Sequence, residues 1–265
     1  VSTVRGHLQA QSVPVQLPSI DELMERSSEA LAACEYFEAE RLALEGLRRT
    51  IAERDYERAG RITMPLLEAR RQKMQLAQDM NRVVVVGPQG PGKAGLTAAG
   101  MYLVQPPAIA ADGRAWRMDA DIRHVPVIVL TREPMSRSGA RTGLWPVVAV
   151  GPSQLGRDLS VRTYVKPPLV VQPAETGMTR DVISGEIDVA WFLEACEALG
   201  DSAIAKLKPE DPAAHRVEDL VEFIEAWPTH EKLHQRLMME CRQAHVEPTP
   251  VTERRRGIAE NPWSF

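Results

Sequence analysis

The chain has 265 residues, 44% of them hydrophobic and 26% charged, which is enough apolar material for one large or two ordinary domains and too much for a chain disordered throughout. Cys34, Cys196 and Cys241 form an odd, widely spaced set, which excludes a disulfide framework and points to free thiols in a reducing cytoplasm. The net charge is −4, no run approaches the roughly 18 apolar residues of a membrane span, and the polar start at Val1–Gln11 lacks a secretory core, so a cytoplasmic protein with no membrane partner is expected.

Residues 1–17 read as a flexible tail, and a helical region is expected over 18–81. Ser19-Ile20-Asp21-Glu22 is a capping box, in which the Ser oxygen accepts from the N3 amide and the Glu reaches back. Behind it Ile20, Leu23, Met24, Ser27, Leu31 and Cys34 recur at helical spacing. A second helix is predicted over Phe37–Ala52, with Ala39, Leu42, Ala43, Gly46 and Leu47 on one face. Asp55 caps a third, carrying Ala59, Ile62, Leu66 and Ala69, and Pro65 is expected to kink or split it.

The helical period stops at Arg82. Val83–Val86, Met101–Val104, Val125–Thr131, Trp145–Val150 and Leu159–Val165 are short apolar or alternating runs bounded by Gly and Pro clusters, the pattern of strands and turns. Residues 132–141 and 151–158 read as exposed loops. No helix of crossover length separates most of these strands, so a mainly antiparallel β region is expected over 82–180. Helices return over 181–247: Ile187–Leu199, ended by Gly200-Asp201, then Arg216–Trp227 and His230–Ala244, parted by Pro228. Residues 248–265, with Arg254–Arg256, read as a second flexible tail. The fold class expected is α+β.

The charge is unevenly spread. Residues 82–180 carry 12 basic and 6 acidic side chains, whereas 181–265 carry 9 basic and 17 acidic. Mutual attraction of the two parts, or a solvated surface, accounts for this. An anionic ligand or nucleic acid held by the basic middle is the alternative.

Two strings carry the look of chemistry. Gly87-Pro-Gln-Gly-Pro-Gly-Lys93 follows a hydrophobic run and satisfies G-x-x-x-x-G-K, so these seven residues resemble the phosphate loop of nucleotide hydrolases. Such a loop converges amides on phosphate oxygens at a helix N-terminus, and its lysine neutralises them. Here Ala94 replaces the magnesium-ligating Ser or Thr, Pro88 and Pro91 remove amides, and the helix that follows would contain Gly95 and Gly100. The preferred reading is a turn between strands. A phosphate or nucleotide site using Gly87, Gly90, Gly92 and Lys93 is the alternative.

His230-Glu231-Lys232-Leu233-His234 satisfies H-E-x-x-H on a helix and resembles the zinc metallopeptidases. The resemblance implies zinc held by His230 and His234, with Glu231 as general base on a bound water. Lys232 is foreign to that pattern, Thr229 is the expected cap, and Glu240 stands at a third-ligand offset without the glycine turn it requires. The apolar stripe Leu233, Leu237, Cys241 and Ala244 favours packing, with both histidines at its edge. The three cysteines are expected on apolar helix faces as buried thiols.

Ser27, Tyr36, Ala39, Ala43 and Gly46 have the small-and-aromatic spacing of a tetratricopeptide repeat, and residues 20–72 resemble one such repeat plus a following helix. The early Trp and Leu-Gly of that pattern are missing, and Ile51 stands where Pro is usual. The resemblance implies a helical surface that binds a peptide or protein. The function expected is therefore a non-enzymatic interaction or scaffold module without cofactor. A zinc-dependent hydrolase through His230, Glu231 and His234 and a phosphate binder through Gly87–Lys93 are the alternatives.

Overall fold

A computed structural model describes residues 17–134, 143–152, 159–172, 182–183 and 185–248. Apart from Leu17 and Pro248, the two tails lie outside the described residues, as do Arg254–Arg256 and most of both expected loops. The fold is α+β: helices at both ends enclose a five-stranded mixed sheet.

Helix α1 (Ile20–Ala32) opens with the capping box, the Glu22 amide donating to Ser19 Oγ at 3.2 Å. It packs on α2 (Tyr36–Glu53) through small residues, where the buried Ser27 hydroxyl donates to the Ala39 carbonyl at 2.9 Å. Gly46 admits Ile62 of α3 (Tyr56–Gln78), whose Cδ1 lies 2.2 Å from where a Cβ on residue 46 would be. Asp55 caps α3, accepting from the Arg58 amide at 3.0 Å. Pro65 does not split this helix: α3 runs through it unbroken for 23 residues. Proline removes one backbone donor, and burial of Ile62, Leu66 and Ala69 on the same stripe holds the helix across the gap.

Strands β1 (Val83–Val86), β2 (Gly100–Val104) and β3 (Val127–Arg132) are parallel neighbours. Strands β4 (Trp145–Val150) and β5 (Ser160–Val165) continue the sheet antiparallel, and β6 (Val171–Gln172) with β7 (Val182–Ile183) forms a separate antiparallel ribbon. The antiparallel pairing expected of this region thus holds from β3 onward. The parallel half needs crossovers. Residues 87–99 supply one, and helix α4 (Ala110–Ile122) supplies the other. Helix α4 escapes sequence reading because Gly113 interrupts its pattern and Ile109, at its N-cap, has no side-chain acceptor; the reciprocal bond comes from Asp112, which accepts from the Ile109 amide at 2.9 Å. Gly113 has a purpose: a Cβ there would meet Thr131 Oγ1 of β3 at 2.1 Å.

Both faces of the sheet are covered. Met101 and Leu103 of β2 join Ile128 and Leu130 of β3 in a core shared with α2, α3 and the C-terminal helices α5 (Val189–Ile204), α6 (Ala213–Ala226) and α7 (Glu231–Val246). The alternate residues Tyr102, Val104 and Val129 face the other way, against Ala120 and Trp116 of α4 and Leu96 of the 87–99 segment. Double burial explains why these strands read as continuous apolar runs rather than alternating ones. The larger core contains residues from all three segments marked out by composition. Ion pairs join the N- and C-terminal helices directly, Arg48 to Glu225 at 2.9 Å and Arg71 to Glu231 at 2.7 Å.

Candidate functional site

The H-E-x-x-H string sits at the start of α7, but its two rings do different work. His230, not Thr229, is the N-cap: its Nδ1 accepts from the Leu233 amide at 3.3 Å. Accepting there places the proton of the neutral ring on Nε2. That Nε2 is buried and lies 3.3 Å from Asp201 Oδ1 and 3.4 Å from Glu197 Oε2, both on α5. The ring rests on Gly200, which lies inside α5 instead of ending it; a Cβ at 200 would be 2.1 Å from His230 Cγ. Burial lowers the His230 pKa against the opposing pull of Glu197 and Asp201.

His234 has the opposite tautomer. Its Nδ1 contacts the His230 carbonyl at 2.9 Å, so it is the donor, and its Nε2 is left to accept from Arg70 Nη1 at 2.9 Å. Burial, then the Arg70 guanidinium, pushes its pKa down to about 3. Glu231 pairs with Arg71 at 2.7 Å, and Glu240, the third-ligand candidate, is held by Arg216 and Arg236 at 2.7 Å each. The structure therefore does not bring His230, His234 and Glu231 to a common centre.

It does bring together a different set. Glu197, Asp201 and His230 place one ligand atom each within 4.8 Å of one another. The chemistry of this set opposes a metal: the capping bond keeps a hydrogen on His230 Nε2, and Lys232 Nζ already stands 3.3 Å from Glu197 and 3.1 Å from Asp201. Freeing the nitrogen would abandon the cap of α7.

The glycine-rich string forms the crossover between β1 and β2. The Gly90 amide donates to the Gly87 carbonyl at 3.0 Å, and the Gly95 amide to Gly92 at 3.2 Å, closing two successive turns. Gly90, Gly92 and Gly95 have φ of 66°, 76° and 67°, the left-handed region that glycine tolerates. No helix follows Lys93, which is exposed; the chain passes directly into β2. Arg123 of α4 holds the second turn, donating to the Ala94 carbonyl at 2.9 Å and the Leu96 carbonyl at 3.1 Å. Trp116 covers Gly90. The helix N-terminus that gives a phosphate loop much of its anion affinity is missing here.

Sequence reasoning missed the polar junction where α2, α3, α4 and α7 meet. Arg70, nearly buried, donates to Glu40 at 2.7 Å and to the Ile224 carbonyl at 3.0 Å, besides His234. Lys73 shares Glu40 at 2.6 Å, reaches Asp121 at 2.6 Å, and lies 4.2 Å over the Phe37 ring. Burial would raise the Glu40 pKa, but Arg70 and Lys73 overcome it and hold the group at about 2. The only signal in the sequence was charge on the inner stripe of α3, which reads equally well as solvated surface.

Cys196 and Cys241 are buried, and burial pushes the Cys241 thiol up to about 12. Cys34 departs from expectation: it is exposed, one residue past the end of α1's cap, with φ of 60°. Among the described residues no helix is long and apolar enough to cross a membrane. In comparisons with protein-family models, curated proteins and solved structures, nothing matches this chain.

Proposed function

We propose that the chain is a non-enzymatic interaction protein whose N-terminal helices carry the partner, with the sheet and C-terminal helices as their base. The observation that carries this reading is the outer face of α1. Glu25 and Glu29, four residues apart, are exposed there and make no ion pair among the described residues. The surrounding segment 17–53 has nine acidic and four basic side chains. The residues behind the tetratricopeptide resemblance, Ser27, Ala39, Ala43 and Gly46, are all buried and support a stiff helical platform. Because the seam between α1 and α2 is filled by their own packing, the partner lies on the outer face of α1. Its chemistry is that of a Lys- and Arg-rich segment of a protein.

Fluorescence anisotropy with a Lys/Arg-rich peptide tests this. Binding that weakens with salt and is lost in Glu25→Lys/Glu29→Lys supports the reading. A folded protein that fails to bind the peptide at low ionic strength, or a charge-reversed variant that binds it equally, removes it.

A further inference from the structure

Beside the Glu40–Arg70–His234 network a cleft opens, with Glu40, Arg70, Lys73, Arg117, Asp121 and Thr229 as its polar walls. Three cations face two carboxylates, and the surplus charge has an address. Arg70 and Lys73 are engaged with Glu40 and Asp121. Among the described residues Arg117 makes no ion pair and one side-chain hydrogen bond, to the Glu225 carbonyl at 3.3 Å. A guanidinium has five N–H donors in a fork, so most of those on Arg117 remain to be used. Burial lowers the Arg117 pKa only to about 10, so it is a cation at neutral pH.

Thr229 adds a second, independent sign. Its Oγ1 is buried and has no hydrogen-bond partner among the described residues. Leaving a buried hydroxyl unsatisfied costs about 1–3 kcal/mol, and a buried polar group ordinarily has a partner, in the protein or bound to it. Thr229 directly precedes the N-cap of α7, where the helix dipole favours negative charge. The cleft offers about 30 Å³, space for two or three water-sized groups at roughly 10–15 Å³ each.

We infer that this cleft binds an oxyanion of phosphate type, held between the Arg117 fork and the Thr229 hydroxyl, with the surplus positive charge of the cleft on Arg117. Arg117 presents two parallel N–H groups to two oxygens, the geometry that favours arginine for phosphate. The Thr229 hydroxyl donates to a third. Glu40 and Asp121 do not repel the anion decisively, because each is already neutralised by a cation in contact with it. The site is separate from the Gly87–Lys93 string and from the outer face of α1.

Isothermal titration calorimetry of the full chain with inorganic phosphate, at ionic strength held constant with chloride, tests the inference. Saturable binding is expected, and Thr229→Val is expected to weaken it about tenfold, the loss of one hydrogen bond to a charged group. Thr229→Val without phosphate is expected to melt no lower than wild type, since it removes an orphaned hydroxyl. Arg117→Gln is expected to abolish binding; if it fails to fold, because Arg117 also caps α6, Thr229→Val decides. Phenyl phosphate binding as tightly as phosphate identifies the head group of an organic ligand as the source, and binding of phosphate alone identifies the free ion. No binding of either, or phosphate binding unchanged in Thr229→Val, overturns the inference.

Discussion

Gly200→Ala is the sharpest single substitution. Glycine inside a helix costs about 1 kcal/mol relative to alanine, so propensity alone makes this change stabilising. The His230 ring reverses the sign. A Cβ on residue 200 would lie 2.1 Å from His230 Cγ, 2.3 Å from Cδ2 and 2.5 Å from Nδ1, and the ring is fully buried with no solvent to retreat into. Moving it sacrifices the cap on the Leu233 amide, worth about 1 kcal/mol, on top of an overpacking cost of about 1–3 kcal/mol. Subtracting the propensity gain leaves a net destabilisation of about 1–3 kcal/mol. Urea denaturation of both proteins measures it. In a His230→Ala background the obstacle is gone, and the same substitution is expected to stabilise by up to about 1 kcal/mol, a change of sign that a double-mutant cycle isolates. Gly200→Ala stabilising the wild-type chain would refute the packing of His230 on α5.

Other perturbations bear on the same junction. The folded pKa of His234 is about 3, below its value of roughly 6.5 in an unfolded chain, so the unfolded state binds more protons and stability falls as pH drops below about 6.5. The slope is at most about 1.4 kcal/mol per pH unit down to the folded pKa; His234→Gln is expected to remove that share in urea titrations between neutral pH and pH 5, and identical slopes would count against it. Glu40→Gln leaves Arg70 and Lys73 undercompensated and is expected to cost about 3 kcal/mol or more by thermal or urea denaturation; a loss under about 1 kcal/mol contradicts the network. Gly113→Ala brings α4 against Thr131 and is expected to destabilise by about 1–3 kcal/mol despite better helix propensity, read by urea denaturation. Ser19→Ala removes the capping box and is expected to cost about 1 kcal/mol, with earlier hydrogen exchange in α1.

Local rules reached far in this chain because they concern neighbours. The Ser19 and Asp55 caps, the helical stripes of α2 and α3, and the five apolar strand runs all depend on residues a few positions apart, and each stands in the structure within a few residues of its reading. Contacts across the chain were invisible. Gly200 looks like a helix terminator until the His230 ring, thirty residues on, is seen lying against it. Gly113 hides α4 for the same reason, its partner being Thr131 on a neighbouring strand. Spacing alone put His230 and His234 on one helical face, as a zinc pair requires. What separates their roles is the tautomer each adopts, set by the Leu233 amide and by Arg70, and neither partner can be read from the interval between two histidines.

His230 and His234 have opposite tautomers, fixed by hydrogen bonds that hold the fold together. Long-range ¹H–¹⁵N correlation spectra of the histidine rings at neutral pH report this directly. His230 is expected to carry its hydrogen on Nε2 and His234 on Nδ1, with neither pattern moved by equimolar zinc. A lone pair on Nε2 of His230, or both rings shifting together as zinc is added, would contradict it.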